Sequence, residues 1–193
     1  MTSEYQLSEE GPVDHPEIEQ VLFNNSEIQQ RVREIAKVIN ETYAGKQLVV
    51  IGILKGAFMF MSDLTRLLTV DHQVDFMALS SYGNSATRGA VRIIMDLRQD
   101  ITGRDVLIVE DIIDTGYTLK FLRNLLATRG PASISTAVFL RKAECIKVDV
   151  PVEFVGFDVP NHWVVGYGLD YAERLRTLPF IGVLKREVYA PNA

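Results

Sequence analysis

The chain has 193 residues, which is enough for one well-buried domain and too few for two ordinary ones. Its formal net charge of -5, with 47% apolar and 23% charged residues, argues against a surface built for nucleic acid or membrane. The apolar segments are far shorter than the ~20 residues of a membrane helix, and the acidic N-terminus is unlike a secretory signal. Since Cys145 has no second cysteine to pair with, we expect a cytoplasmic protein.

A tail and an amphipathic helix are predicted first. Residues 1–20 are polar and interrupted by glycine and proline, which predicts a flexible N-terminal extension before a single domain over 21–193. Ser26 and Gln29 form a capping-box pattern. The apolar residues that follow recur at helical spacing: Ile28, Val32, Ile35, Ile39 and Tyr43.

Strands and helices then alternate along the chain. Continuous apolar segments rich in β-branched residues predict buried strands at 48–53, 106–109 and 134–140, and a further strand is predicted at 73–79. Helices are predicted at 57–68 and from Leu119 to Gly130. This alternation predicts an α/β fold whose central, mainly parallel sheet is flanked by helices. Broken β-like segments over 150–193 predict a small β-rich hood, with a contribution from the N-terminal region.

The segment VLIVEDIIDTGYTL, residues 106–119, places three carboxylates beside a turn suited to phosphate: Glu110, Asp111 and Asp114. Ligands of parallel sheets bind beyond the carboxyl ends of the strands, where the next helix presents unpaired N–H groups. The turn 114–118 offers a glycine for close backbone approach and two threonine hydroxyls. Neither GxxxxGK[ST] nor GxGxxG occurs, so this is a phosphate site of another kind.

The adjacent acids Glu110 and Asp111 indicate a partner other than phosphate. They can accept hydrogen bonds from the vicinal diol of a sugar, or bind Mg²⁺ directly or through its waters. A sugar phosphate with a divalent cation satisfies both the turn and the acids. Two alternatives remain open: the acids only cap a helix, or they form an acidic metal-binding pocket of the receiver-domain type.

The same fourteen residues resemble the phosphoribosyl-pyrophosphate (PRPP) motif of the type I phosphoribosyltransferases, an apolar strand followed by two acids, two apolar residues and D-T/S-G-x-T. Further segments resemble the hypoxanthine-guanine branch of that family: 54–64, 80–85, 150–160 and 163–176. The resemblance runs from about Glu27 to the C-terminus. It implies the type I phosphoribosyltransferase fold. It also implies transfer of the 5-phosphoribosyl group from PRPP to N9 of hypoxanthine or guanine in purine salvage, giving IMP or GMP and pyrophosphate.

The resemblance assigns the PRPP contacts by position. For the phosphate and ribose it implies Glu110, Asp111, Asp114, Thr115, Gly116, Tyr117 and Thr118. For pyrophosphate it implies Leu54, Lys55, Gly56 and Arg176, and the Leu54–Lys55 peptide is often cis in the family. The implied cofactor is Mg²⁺, placed by Glu110, Asp111 and Asp170. Cations at these positions would neutralise the leaving pyrophosphate, whose departure leaves an oxocarbenium-like sugar.

Asp114 matches the family's catalytic base, which takes the proton from the purine as N9 attacks. Its alternative role is to hold the turn by accepting backbone N–H bonds. Lys142 matches the lysine that donates to the exocyclic O6 of the base, although Arg141 is one residue away. The alternative for Lys142 is an ordinary solvated lysine.

Three further residues complete the implied purine site. Trp163 stands where relatives usually have phenylalanine and would stack on the base, or else it is a core residue of the hood. Val164 would offer main-chain contacts, and the resemblance assigns Asp170 to the purine site as well as to the metal. Ser81 and Tyr82 match a lid loop, within the polar segment 80–92, that excludes water from the reacting centre.

The expected partners are PRPP, the base and further copies of the chain in a homodimer or homotetramer. One rival is a transferase for another base, which the set Lys142, Trp163 and Asp170 disfavours. The other rival is a PRPP-sensing regulator that binds RNA or DNA. Such a protein would be expected to show a basic face or a helix-turn-helix, and 20 basic against 25 acidic residues indicate neither.

Overall fold

The computed structural model describes residues 7–8, 11–12, 14–81 and 91–190. Its strands, in chain order, are β1 (Leu7–Ser8), β2 (Gly11–Pro12), β3 (Ile18–Phe23), β4 (Leu48–Leu54), β5 (His72–Ser81), β6 (Val91–Met95), β7 (Asp105–Ile113), β8 (Ser133–Arg141), β9 (Phe154–Asp158), β10 (Val164–Val165) and β11 (Ile181–Leu184). Its helices are α1 (Asn25–Thr42), α2 (Phe58–Thr65), α3 (Tyr117–Ala127) and α4 (Arg186–Tyr189), with a 3-10 turn at Ala143–Cys145.

The main sheet has six strands in the order β6-β5-β4-β7-β8-β9. Five of them are parallel, and β6 pairs antiparallel with β5 at one edge, so the predicted mainly parallel sheet is confirmed. A second sheet, β10-β11-β3, is antiparallel and forms the small hood. Within the described ranges, no helix has the length and apolar character needed to cross a membrane.

Both faces of the main sheet are covered, as its continuous apolar strands predict. Val49, Ile51 and Ile53 of β4 pack in one buried cluster with the apolar side of α3. The alternate residues Leu48 and Val50 pack with α1 and α2 on the other face. The predicted apolar positions of α1 are all buried.

The predicted start of α1 was wrong by two residues. Asn24, not Ser26, is the N-cap: its Oδ1 accepts a hydrogen bond from the Glu27 N–H at 3.0 Å, and Glu27 Oε2 accepts one from the Asn24 N–H at 2.8 Å. Both candidate pairs have the capping-box spacing, and asparagine caps a helix as well as serine does. The acid at Glu27 also suits the positive end of the helix dipole.

The boundary of the N-terminal extension also needs correction. Residues 18–20 belong to β3, whose pairing with β11 satisfies backbone groups that a loose tail would leave to water. Residues 154–158, predicted to belong to the hood, instead form β9 at the edge of the main sheet. Arg31 on α1 protects this edge, since its guanidinium donates to Val155 O and Gly156 O at 2.8 and 2.7 Å.

Candidate active site

Two of the three acidic residues, Glu110 and Asp111, lie within strand β7 and not, as predicted, in a turn that follows residue 109. The strand continues through Glu110 and Asp111 because Ile112 and Ile113 still pair with β8. Residues 114–116 then form the turn into α3. The carboxylates of Glu110 and Asp111 are therefore held by sheet pairing at the carboxyl end of the strand, where ligands of parallel sheets bind.

The turn opens a small pocket at the start of α3. Gly116 is the N-cap in a left-handed conformation, with φ of 85°, and because it has no side chain it cannot itself cap the first N–H groups of α3. The pocket, of about 160 Å³, is lined by Glu110, Asp111, Ile112, Ile113, Asp114, Thr115, Gly116, Thr118 and Leu119. Tyr117 is exposed beside it. Backbone N–H groups, a helix dipole and two threonine hydroxyls suit a phosphate.

Without a ligand, negative charge on Glu110 and Asp111 is unfavourable, because both carboxyl groups are buried next to each other. Burial raises the pKa of Glu110 well above its usual range, and the neighbouring Asp111 raises it further. Burial also raises the pKa of Asp111, against the opposing effect of the Ile112 N–H, which donates to its Oδ1 at 2.7 Å. Glu110 Oε2 is sealed from solvent with no hydrogen-bond partner in the described part of the chain. The pair therefore favours a cation or hydroxyl donors.

We expect Glu110→Gln to stabilise the empty protein by about 1 kcal/mol, which is about 2–4 °C in Tm for a chain of this size. The raised pKa makes the ionised carboxyl favour the unfolded chain, so wild-type stability falls as pH rises from the usual glutamate value towards the raised one. Denaturant unfolding in metal-free buffer at pH 5 and pH 7.5 should show a larger gain at the higher pH. Glu41→Gln, on the exposed side of α1, controls for loss of one charge, and an equal gain in both variants contradicts the argument.

One distant turn packs against Asp111, and a second turn packs against the first. Residues 55–57 form the turn after β4, which begins with a cis peptide between Leu54 and Lys55. A Cβ atom at Gly56 would overlap the Asp111 carboxylate, and one at Gly168 would overlap the Gly56 carbonyl. Only glycine fits these two contacts, which place the predicted pyrophosphate turn directly beside the acids.

The predicted cations Lys55 and Arg176 share one counter-ion that sequence reasoning missed. Glu173 Oε2 lies 2.9 Å from Lys55 Nζ and 3.3 Å from Arg176 Nη2. Arg176 also donates through Nη1 to the Gly168 carbonyl at 2.9 Å and contacts Asp170 Oδ1 at 2.8 Å. Its positive charge acts on Asp111, where it opposes the rise in pKa. The structure thus brings the two cations and the two acids together at the carboxyl ends of the parallel strands.

The predicted metal ligands fit a metal that shares its coordination with substrate. Among the described residues, no three acidic, histidine or cysteine side chains gather closely enough to hold an ion alone. Mg²⁺ usually takes one or two carboxylates, together with waters and substrate phosphates. Glu110 and Asp111, with the sealed Oε2 of Glu110, suit that arrangement. Asp170 is already engaged by Arg176 and by the Glu173 N–H, so its contact with a metal stays a prediction.

The predicted base contacts lie at the ends of β8 and β9. Arg141 forms a two-point ion pair with Asp158, at 2.6 and 2.9 Å. Lys142, in contrast, has Nζ 3.5 Å from Asn161 Oδ1, at the limit of a hydrogen bond, and its backbone N–H donates to Ile113 O at the end of β7. This geometry favours Lys142 over its neighbour as a donor to a ligand.

The aromatic part of the site includes residues that sequence reasoning did not single out. Trp163 is 47% exposed and contacts the rings of Tyr171 and Tyr189. Val164 is buried in β10, where its backbone pairs with Val183. No local pattern indicates the contact with Tyr189, which depends on how the C-terminal helix folds back.

The sequence offered no partner for Cys145, yet its thiol lies beside Asp114: burial raises the pKa of the thiol, and the carboxylate raises it further. Of the predicted lid pair, Ser81 ends β5 and pairs with Val91, whereas Tyr82 lies outside the described residues.

Known proteins match both the sequence and the fold. The family described as "Phosphoribosyl transferase domain" matches residues 20–172. The chain is 50% identical over 175 residues to the hypoxanthine-guanine phosphoribosyltransferase of Dictyostelium discoideum, covering 88% of this chain and 97% of that protein. It is 49% identical over 166 residues to the hypoxanthine phosphoribosyltransferase of Salmonella typhimurium, with 84% and 93% coverage. The crystal structure of a hypoxanthine phosphoribosyltransferase from Staphylococcus aureus matches with a TM-score of 0.88 at 44% identity, covering 91% of this chain and 96% of that one.

Proposed function

Because the chain belongs to the hypoxanthine-guanine branch of the phosphoribosyltransferase family, we propose that it transfers the 5-phosphoribosyl group from PRPP to N9 of hypoxanthine or guanine. The products are IMP or GMP and pyrophosphate, and the reaction serves purine salvage. One observation carries this proposal. The N-terminus of α3, the paired acids of β7 and the cations Lys55 and Arg176 lie together at the carboxyl ends of the parallel strands. A sugar that bears both a phosphate and a pyrophosphate matches that distribution of charge.

Each end of PRPP has complementary groups in this arrangement. The 5-phosphate fits the α3 N-terminus with Thr115 and Thr118, and the ribose hydroxyls fit the carboxylates Glu110 and Asp111. The pyrophosphate fits the Lys55 turn and Arg176. A Mg²⁺ ion held by the two acids would add positive charge next to the leaving group.

The base is the nucleophile, and its N9 attacks C1 of the ribose. As the bond from C1 of the ribose to N9 forms, the bond from C1 to the pyrophosphate oxygen breaks, and the imidazole-ring proton of the purine passes to the Asp114 carboxylate. Lys142 donates to O6, and Trp163 stacks on the ring. The resemblance assigns Ser81 and Tyr82 to a lid that would exclude water from the oxocarbenium-like sugar. The metal, the homodimer or homotetramer and the cytoplasmic location stay predictions.

The direct test offers hypoxanthine, guanine, xanthine and adenine separately with PRPP and Mg²⁺. We expect nucleotide and pyrophosphate in equal amounts with hypoxanthine or guanine, and far less of either product with adenine. Absence of turnover with every base, while PRPP still binds, would overturn the proposal and favour a PRPP sensor.

Glu173→Gln should lower both the KM for PRPP and the inhibition constant of pyrophosphate, each by about 2- to 5-fold. Glu173 neutralises Lys55 and Arg176, so an incoming pyrophosphate must replace it, and exposed ion pairs of this kind contribute about 0–1 kcal/mol. Initial rates with and without added pyrophosphate measure both constants. Glu41→Gln is the charge control, and constants that stay unchanged or rise would show that Glu173 does not compete with the substrate.

A further inference from the structure

The indole of Trp163 is held on two sides by tyrosine rings. The ring of Tyr189 stacks on it, with centroids 5.4 Å apart and an angle of 26° between the planes. Tyr171 meets it edge-on, also at 5.4 Å, with an angle of 84°. Trp163 is nevertheless 47% exposed, so a large part of its surface remains available.

The short helix that carries Tyr189 is anchored to the hood. It is the last residue of α4, whose backbone carbonyl at Val188 accepts a hydrogen bond from the Tyr171 hydroxyl at 3.2 Å. The residue before this helix, Lys185, donates its N–H to Glu17 O at 2.9 Å, and Leu184 donates to the Trp163 carbonyl at 2.8 Å. The Val188 side chain packs against the buried cluster of the hood. The C-terminal segment is thereby tied to the strand that follows Trp163.

We propose that Tyr189 is a positioning residue for the purine: it supports one face of Trp163 so that the opposite face receives the base. This proposal rests on the proposed function. A stacked and an edge-on neighbour are the two arrangements that aromatic pairs prefer, and together they restrict the rotation of the indole. A ring that is already ordered loses less conformational entropy when a ligand stacks on it. Contact with Tyr189 should therefore strengthen the affinity for the base and leave the affinity for PRPP unchanged.

The test compares Tyr189→Leu, which removes the ring, with Tyr189→Phe, which keeps it and removes only the hydroxyl. For Tyr189→Leu we expect the KM for hypoxanthine or guanine to rise about 3- to 10-fold, with the KM for PRPP and kcat within about twofold of wild type. The Phe variant should restore wild-type constants.

A spectroscopic measurement complements the kinetics, because Trp163 is the only tryptophan. The fluorescence anisotropy of the free enzyme should fall in Tyr189→Leu and not in Tyr189→Phe, as the indole gains freedom. Quenching by added GMP should require about 3- to 10-fold more nucleotide in the Leu variant.

Three results would overturn the proposal. Equal rises in the KM values for base and PRPP would indicate general loosening of the hood. A Phe variant as impaired as the Leu variant would show that the ring is not what matters. A lower KM for the base in Tyr189→Leu would show that Tyr189 occupies the face that the base needs. Failure of the proposed function is seen separately, since wild type would then form no nucleotide.

Discussion

Replacing Asp114 by asparagine is expected to lower kcat for nucleotide formation by about 100- to 1,000-fold and to leave the KM for PRPP within about threefold of wild type. The carboxylate lies exposed in the turn that follows β7, lining the pocket beside the predicted ribose and phosphate contacts. Asparagine keeps the size of the side chain and still accepts backbone hydrogen bonds in a turn, but it cannot take up the purine proton.

The asparagine substitution distinguishes the two roles of Asp114, as a catalytic base and as a residue that only holds the turn. If the residue only holds the turn, the asparagine side chain should support it equally well, and turnover should stay within about threefold of wild type. Steady-state rates with hypoxanthine give kcat, and a thermal melt checks that the fold is unchanged. Asp149→Asn, at an exposed position in the segment that packs near the turn, is the matched control and should leave kcat unchanged.

The main sheet could be predicted from the sequence because its strands carry an unusually simple pattern. Val106 to Val109 are all fully buried, and a short apolar segment rich in β-branched residues is typical of a strand covered on both faces. The end of β7 could not be predicted in the same way. Glu110 and Asp111 look like the start of a loop, yet pairing with β8 keeps them in the strand, because tertiary contacts override local preference.

The contacts between side chains within the site could not be predicted from patterns in the sequence. Glu173 and Lys55 are 118 residues apart in the chain, and periodicity carries no information about which distant turns meet. Glu173 also lies in a turn where Ala172, Glu173 and Leu175 all adopt positive φ values, a conformation for which glycine is the usual signal. The resemblance supplied the position of Arg176, whereas its shared counter-ion required the folded structure.

Replacing Lys142 by alanine should lower kcat/KM for hypoxanthine by about 10- to 100-fold, because a hydrogen bond from a charged donor contributes about 1.5–3 kcal/mol. The lysine amine is at the limit of contact with Asn161, and no ion pair within residues 14–81 and 91–190 competes with a purine O6 for it. Adenine has an amino group in place of O6 and gains nothing from this donor. The ratio of hypoxanthine to adenine activity should therefore fall in the variant.

Arg141→Ala provides the internal control, since the two residues are adjacent and both are basic. The Arg141 guanidinium is committed to Asp158, so its loss should weaken the end of β8 and lower Tm without changing the preference between bases. Rates with hypoxanthine and adenine for wild type and both variants complete the comparison. A fall in the hypoxanthine preference with Arg141→Ala, and not with Lys142→Ala, would mean that the family's lysine position falls on Arg141 and that Asp158 must release it when the base binds.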